Sequence, residues 1–266
     1  MRAHVRPGTI APSRRHFIRT IAGGVALAAM SRAFAQSDGA GGGEGGPPPP
    51  DAMTPVHERY AALTSYADKG TLTVRSQWPG APETVDHHRF QTAFRAPRNF
   101  FFRFDADPAS SGDIYVLWCD GGDFQSWWKA TGVQDVYDGG RGADGFYAGG
   151  YPSRDSIFLL GSNVFSAALP YGPTSRLINL RDGGEETIVG HACGKLIADG
   201  RQTGVVTTDI RPTTIWVDKE LTLVRKVQTD AQAGSPKGMI DTLVYEIEPV
   251  ANPDLADDRF TFTPPG

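Results

Sequence analysis

Two cysteines, Cys119 and Cys193, are all that the 266 residues carry. No Cys-x-x-Cys and no His-Glu-x-x-His occurs, so the spacings that build structural or catalytic zinc sites are missing. Histidine is scarce: beyond residue 35 only His57, His87, His88 and His191 remain. The Gly-x-Ser-x-Gly elbow of α/β hydrolases is absent, as is the Gly-x-x-x-x-Gly-Lys-Ser/Thr phosphate loop. Nothing in this inventory supports a named reaction or a cofactor, and the chain reads as non-enzymatic with no metal. It also lacks a long apolar run. The best stretch, TIAGGVALAAM, has about eleven residues, too few to cross roughly 30 Å of hydrocarbon as a helix.

That short run belongs to an export signal. Ser13-Arg14-Arg15-His16-Phe17-Ile18 is a twin-arginine block ahead of it, and Ala33-Phe34-Ala35 behind it is a small-residue cleavage pattern. Residues 1–35 are therefore expected to be removed after about Ala35, leaving the protein in the periplasm. With no cysteine near the cut, an amino-terminal lipid anchor has no attachment point. The segment contains six arginines and no acidic residue, and the remainder keeps 20 basic and 30 acidic side chains, a formal charge of −10. Such a surface repels phosphate backbones, which argues against nucleic acid as a partner. Residues 36–54, rich in glycine and closing on Pro47 to Pro50, read as a linker. Residues 55–266 then make one domain of ordinary size.

In an oxidising compartment the two thiols are compatible with a disulfide, or with two separate buried side chains acting as small apolar residues. Along the domain, Thr54-Pro55 reads as a helix start. Val56, Tyr60, Leu63 and Ala67 recur at helical spacing up to a stop at Gly70. The period then becomes two: Phe90, Thr92 and Phe94; Phe100, Phe102 and Phe104 against Phe101 and Arg103; Ile114, Val116 and Trp118 against Tyr115, Leu117 and Cys119. Turn clusters at 96–99, 108–112 and 120–122 make this a meander of antiparallel hairpins. After the glycine-rich stretch 139–150, residues 153–170 read as a helix apolar on more than one side. Alternation resumes in EETIVGHACGKLIADGR, TTIWVDKELTLVRKVQ and GMIDTLVYEIEPV, and DRFTFTPPG reads as a short edge strand. The class is α+β: an antiparallel sheet with helices at two points.

Two apparent ligand sites carry less than they promise. Asp86-His87-His88 lies in a strand, where adjacent side chains point to opposite faces and do not share one ion. GGRGADGFY (139–147) fits the calcium-binding nonapeptide of β-rolls, but a single copy has no neighbouring turn to complete the site.

Taken together, YAALTSYADKGTL, FQTAFRAPRNFFFRF, GGEETIVGHACGKL, TTIWVDKELTLVRKV and DRFTFTPP resemble the LolA/LolB/LppX-like superfamily of periplasmic lipoprotein carriers, in a branch of uncharacterised exported proteins. The resemblance implies a curved antiparallel sheet, an incomplete half-barrel, with helices covering its concave face. It further implies a carrier or binder of a hydrophobic ligand, a lipid or a lipoprotein acyl chain. The expected cavity residues are Phe94, Phe102, Phe104, Trp118, Phe158, Leu159, Phe165 and Trp216. The alternative is an envelope interaction or sensor module whose rings fill their own core. An enzyme using a cavity residue such as His191 ranks behind both.

Overall fold

The computed structural model describes residues 52–77, 80–109, 111–138, 177–203, 208–230 and 240–265. The export signal, most of the linker, the glycine-rich stretch 139–150 and the expected helix over 153–170 lie outside these residues. So do Phe158, Leu159 and Phe165.

One helix, α1 (Thr54–Ala61), precedes eleven strands: β1 (Ser65–Ser76), β2 (Thr84–Arg95), β3 (Asn99–Asp105), β4 (Ile114–Asp120), β5 (Phe124–Trp128), β6 (Val133–Tyr137), β7 (Leu177–Ile188), β8 (His191–Thr203), β9 (Thr208–Asp218), β10 (Val224–Asp230) and β11 (Ile240–Ala251). They form a single antiparallel sheet in the order β6-β5-β4-β3-β2-β1-β11-β10-β9-β8-β7. Two meanders are thus sewn together by the pairing of β1 with β11. The sheet does not close, since β6 and β7 stand at its two ends.

The helix is half the length that the spacing predicts, and Gly70 lies inside β1 rather than at a helix end. Thr54 is the first helical residue, and Met53, not a threonine hydroxyl, holds the cap position. Val56, Tyr60 and Leu63 do face the core. What ends the helix is a distant side chain. Asn252 Oδ1 accepts the backbone N–H groups of Thr64 (3.0 Å) and Ser65 (3.3 Å), and the Asn252 N–H donates to Ser65 O (2.9 Å). Donors that a longer helix would use are taken by the end of β11, and the chain enters the sheet.

Gly70 has another use. A methyl group added there would lie 2.1 Å from the Phe90 ring, directly opposite in register. The ring lies flat over the bare strand, which only glycine permits.

Three further expectations change. EETIVGHACGKLIADGR is two strands: it reverses at Val189-Gly190, and Gly200 sits within β8. The carboxyl-terminal DRFTFTPPG is not a strand; Asp257–Phe260 is a 3₁₀ turn followed by irregular chain. Its phenylalanines are held by side-chain packing instead of ladder bonds. Finally, Cys119 and Cys193 are both free and buried. They sit on β4 and β8 with β3, β2, β1, β11, β10 and β9 between them, in separate clusters. Sulfurs so placed do not meet at the ~3.8 Å Cβ spacing that a disulfide needs.

Candidate functional site

Among the described residues, strand alternation sorts the apolar side chains into one large cluster and two small ones. The large cluster takes Leu72 from β1, Phe90 and Phe94 from β2, and Phe100, Phe102 and Phe104 from β3. Tyr115 and Leu117 of β4 and Ile215 of β9 continue it. It also receives Met53, Val56, Tyr60 and Leu63, so α1 packs on this side of the sheet. Phe100 and Phe102 are 0% and 1% exposed. The sequence-predicted grouping of Phe100, Phe102 and Phe104 against Phe101 is observed.

Phe94, Phe102 and Phe104 are therefore brought together, and Trp118 and Trp216 are not among them. Trp118 sits with Ala93, Phe101, Val116 and Trp127 in a second cluster, covered by Phe260 and Phe262 of the carboxyl-terminal segment. That segment is clamped by Arg95. The guanidinium donates to Leu255 O (2.8 Å) and Asp257, and lies 5.0 Å from the centre of the Phe260 ring. Trp216 joins Ile188 and Cys193 in a third cluster, donates from Nε1 to Glu186 (2.9 Å), and has Lys226 4.7 Å over its ring.

One carboxylate enters the large cluster's side of β1. Asp68 is 5% exposed and shares strand parity with Tyr66 and Leu72. Tyr66 donates its hydroxyl to Asp68 Oδ2 at 2.9 Å, whereas Oδ1 and the neighbouring Thr92 Oγ1 form no bond of normal length. Burial pushes the Asp68 pKa up to about 7, only partly offset by Thr92, Tyr66 and the more distant Arg259. Burial also raises Tyr66 well above its ordinary range, with Asp68 adding to the shift. This buried carboxylate was not singled out by sequence. Its only signal is an aspartate at a period-two apolar position in SYADKGTLTV.

The histidines are accounted for by structure. His87 and His88 point to opposite sides: His87 is exposed, and His88 is buried against Phe104, accepting the Asp107 N–H on Nδ1 at 3.0 Å. No group of three or more His, Cys, Asp or Glu that could hold a metal occurs among the described residues. His191 Nδ1 lies 3.5 Å from Asp218 Oδ2, but the same oxygen is held by Arg225 at 2.5 Å. Burial, and then the Asp218 charge, raise the neighbouring Cys193 thiol pKa, which keeps it protonated and a poor nucleophile. No described helix is long and apolar enough to cross a membrane.

The described residues also form a pocket of about 470 Å³. Phe94, Phe102 and Phe104 do not line it; Lys69, Arg89, Arg225, Glu246 and Glu248 do.

No family model and no curated protein matches the chain. Solved structures do. LprF from Mycobacterium bovis is 13% identical, with 79% of this chain and 99% of that one covered at a TM-score of 0.42. Lipoprotein LppX from Mycobacterium tuberculosis is 13% identical, with 78% and 100% covered and a TM-score of 0.40. A LolA superfamily protein from Nitrosomonas europaea is 13% identical, with 78% and 96% covered and a TM-score of 0.27.

Proposed function

We propose that the protein is a periplasmic binder or carrier of an apolar ligand, a lipid or an acyl chain, held against the sheet side that carries Phe94, Phe102 and Phe104. One observation carries this reading. The aromatic side spans strands from β6 to β9 of an open sheet, while α1, the only α-helix among the described residues, has eight residues. Such a helix is about 12 Å long, whereas the nine strands from β6 to β9 in sheet order, at roughly 4.8 Å, spread over about 40 Å. The rings of this side are buried almost completely although α1 spans only part of it, and an apolar ligand lodged among them gains about 25 cal/mol for each Å² of its own surface that it removes from water. Trp118 and Trp216, in other clusters, are left out of the site. No residue is assigned to catalysis.

A second reading rests on the near-complete burial of Phe100, Phe102 and Leu117. Rings sealed to this degree are what a self-filled core shows, and such a domain would act through an envelope protein partner instead.

The deciding experiment is solvent extraction of the protein isolated from a periplasm, followed by mass spectrometry. The expected result is one lipid class in near-stoichiometric amount. An empty extract, with no later uptake of a fluorescent fatty acid, overturns the carrier reading in favour of the second.

A further inference from the structure

The charged pocket borders that apolar surface, since Phe90 and Ile247 of the large cluster line it beside the charged residues, and its construction is specific. Arg225 is the extra residue of a bulge in β10: Val224 pairs with Val217 and Lys226 with Trp216, consecutive residues on β9. A bulge re-aims the side chain it carries. Here it sends an arginine into the interior, where its side chain is 8% exposed. Asp218 fixes that arginine through Nε (2.5 Å) and is itself fixed by the N–H groups of Glu220 (2.8 Å) and Leu221 (3.0 Å). Burial alone would raise the Asp218 pKa; the Leu221 N–H, Arg225 and the Glu220 N–H outweigh it and hold the carboxylate below its ordinary range.

Only Nε of the guanidinium is bonded among the described residues, and no Arg225 nitrogen is a sealed, unpartnered atom. Arg225 lines the pocket. A second irregularity meets it there. Val189, at the tip of the β7–β8 hairpin, is held at φ 48° and is 77% exposed. A β-branched residue in the left-handed region is strained, and natural hairpins favour asparagine or glycine at this place. Lys69 and Glu248 are cross-strand partners, as are Thr71 and Glu246. Yet Lys69, Arg89, Glu246 and Glu248 form no ion pair among the described residues.

We propose that this pocket is a second binding site, for a small zwitterion that carries a carboxylate or phosphate together with an ammonium group. The anionic end meets the Arg225 fork, with Lys69 and Arg89 nearby; the ammonium meets Glu246 and Glu248. Cations alone would select a plain anion, and Glu246 and Glu248 beside them are what favour a ligand of both signs. Asp218 is a positioning residue that acts through Arg225. The source is either a free molecule or the head group of a zwitterionic lipid, which share this chemistry.

Calorimetric titration with O-phosphoethanolamine tests the site, with inorganic phosphate and ethanolamine titrated separately. The zwitterion is expected to bind saturably, about ten-fold more tightly than either half. Arg225→Lys keeps the charge but loses the planar fork, and is expected to weaken binding by about ten-fold. Glu248→Gln, at an exposed position, is expected to abolish the preference over inorganic phosphate while leaving phosphate affinity within about two-fold; it keeps the test decisive if Arg225→Lys does not fold. Sedimentation with phosphatidylethanolamine vesicles separates the sources: Arg225-dependent capture assigns the lipid head group, and binding of the soluble zwitterion alone assigns the free molecule. Absence of saturable zwitterion binding in both formats, or binding indifferent to both substitutions, overturns the proposal. Phe94, Phe102 and Phe104 do not line the pocket, so binding of the soluble zwitterion is read independently of the lipid extraction.

Discussion

The two sides of the same strands solve different problems. At positions 100, 102 and 104 of β3 the rings enter one broad cluster with α1 on it. At position 101 the ring enters a small cluster roofed by the carboxyl-terminal segment. Elsewhere that second parity is mixed: Lys69 and Thr71 of β1 alternate with Tyr66, Asp68 and Leu72, and line a charged pocket. The lesson is that burial on both sides of a strand does not make the sides equivalent. One is held by area, the other by a few clamps such as Arg95 on Phe260. The broad side should therefore be costly to disturb at any ring, and the other side cheap except at its clamps.

Three substitutions break or sharpen this contrast. Phe102→Ala, in the centre of the broad cluster, is expected to lower stability by about 3–5 kcal/mol in chemical denaturation, through lost transfer energy and a residual cavity. A loss below about 1 kcal/mol would mean that the side is not a packed core. Next comes Asp68. The folded protein holds its proton up to about pH 7, whereas an unfolded aspartate releases it near pH 3.9. Between these values the folded state binds more protons, so stability falls as pH rises through the window. Asp68→Asn removes this term, and its advantage over the native chain should grow from nothing at pH 4 to on the order of 3–4 kcal/mol at pH 8. Parallel pH profiles of the two proteins would refute the assignment.

The smallest effect is expected at the clamp. Arg95→Ala should cost about 1–2 kcal/mol, combining one bond to a backbone carbonyl, a ring contact and a largely exposed ion pair that adds little. Its distinctive mark is a red shift of tryptophan emission as Trp118 and Trp127 lose cover, a shift that Phe102→Ala should not reproduce.

Much of this was legible in the chain. The alternation of FQTAFRAPRNFFFRF and DIYVLWCD sorted the rings within each strand into two opposite sets, because a strand has a period of two and hydrophobic burial enforces it. Turn chemistry placed the β2–β3, β3–β4 and β4–β5 reversals correctly. Of the expected cavity residues, Phe94, Phe102 and Phe104 share one cluster whereas Trp118 and Trp216 fall in two others, because parity within one strand says nothing about which strands share a side with β3. Asp68 and Arg225 escaped notice, because neither type nor spacing marks a charged residue that distant partners bury.

The sequence by itself determined an antiparallel sheet with period-two strands, an aromatic side and an acidic surface, since these follow from local alternation and composition. Only the tertiary structure decided where α1 stops, how the carboxyl-terminal phenylalanines are used, that the two thiols lie apart, and that a bulge aims Arg225 into a pocket. Each of those outcomes depends on groups remote in the chain, such as Asn252 capturing the N–H groups of Thr64 and Ser65, and free energy gained between distant residues leaves no local periodicity to read.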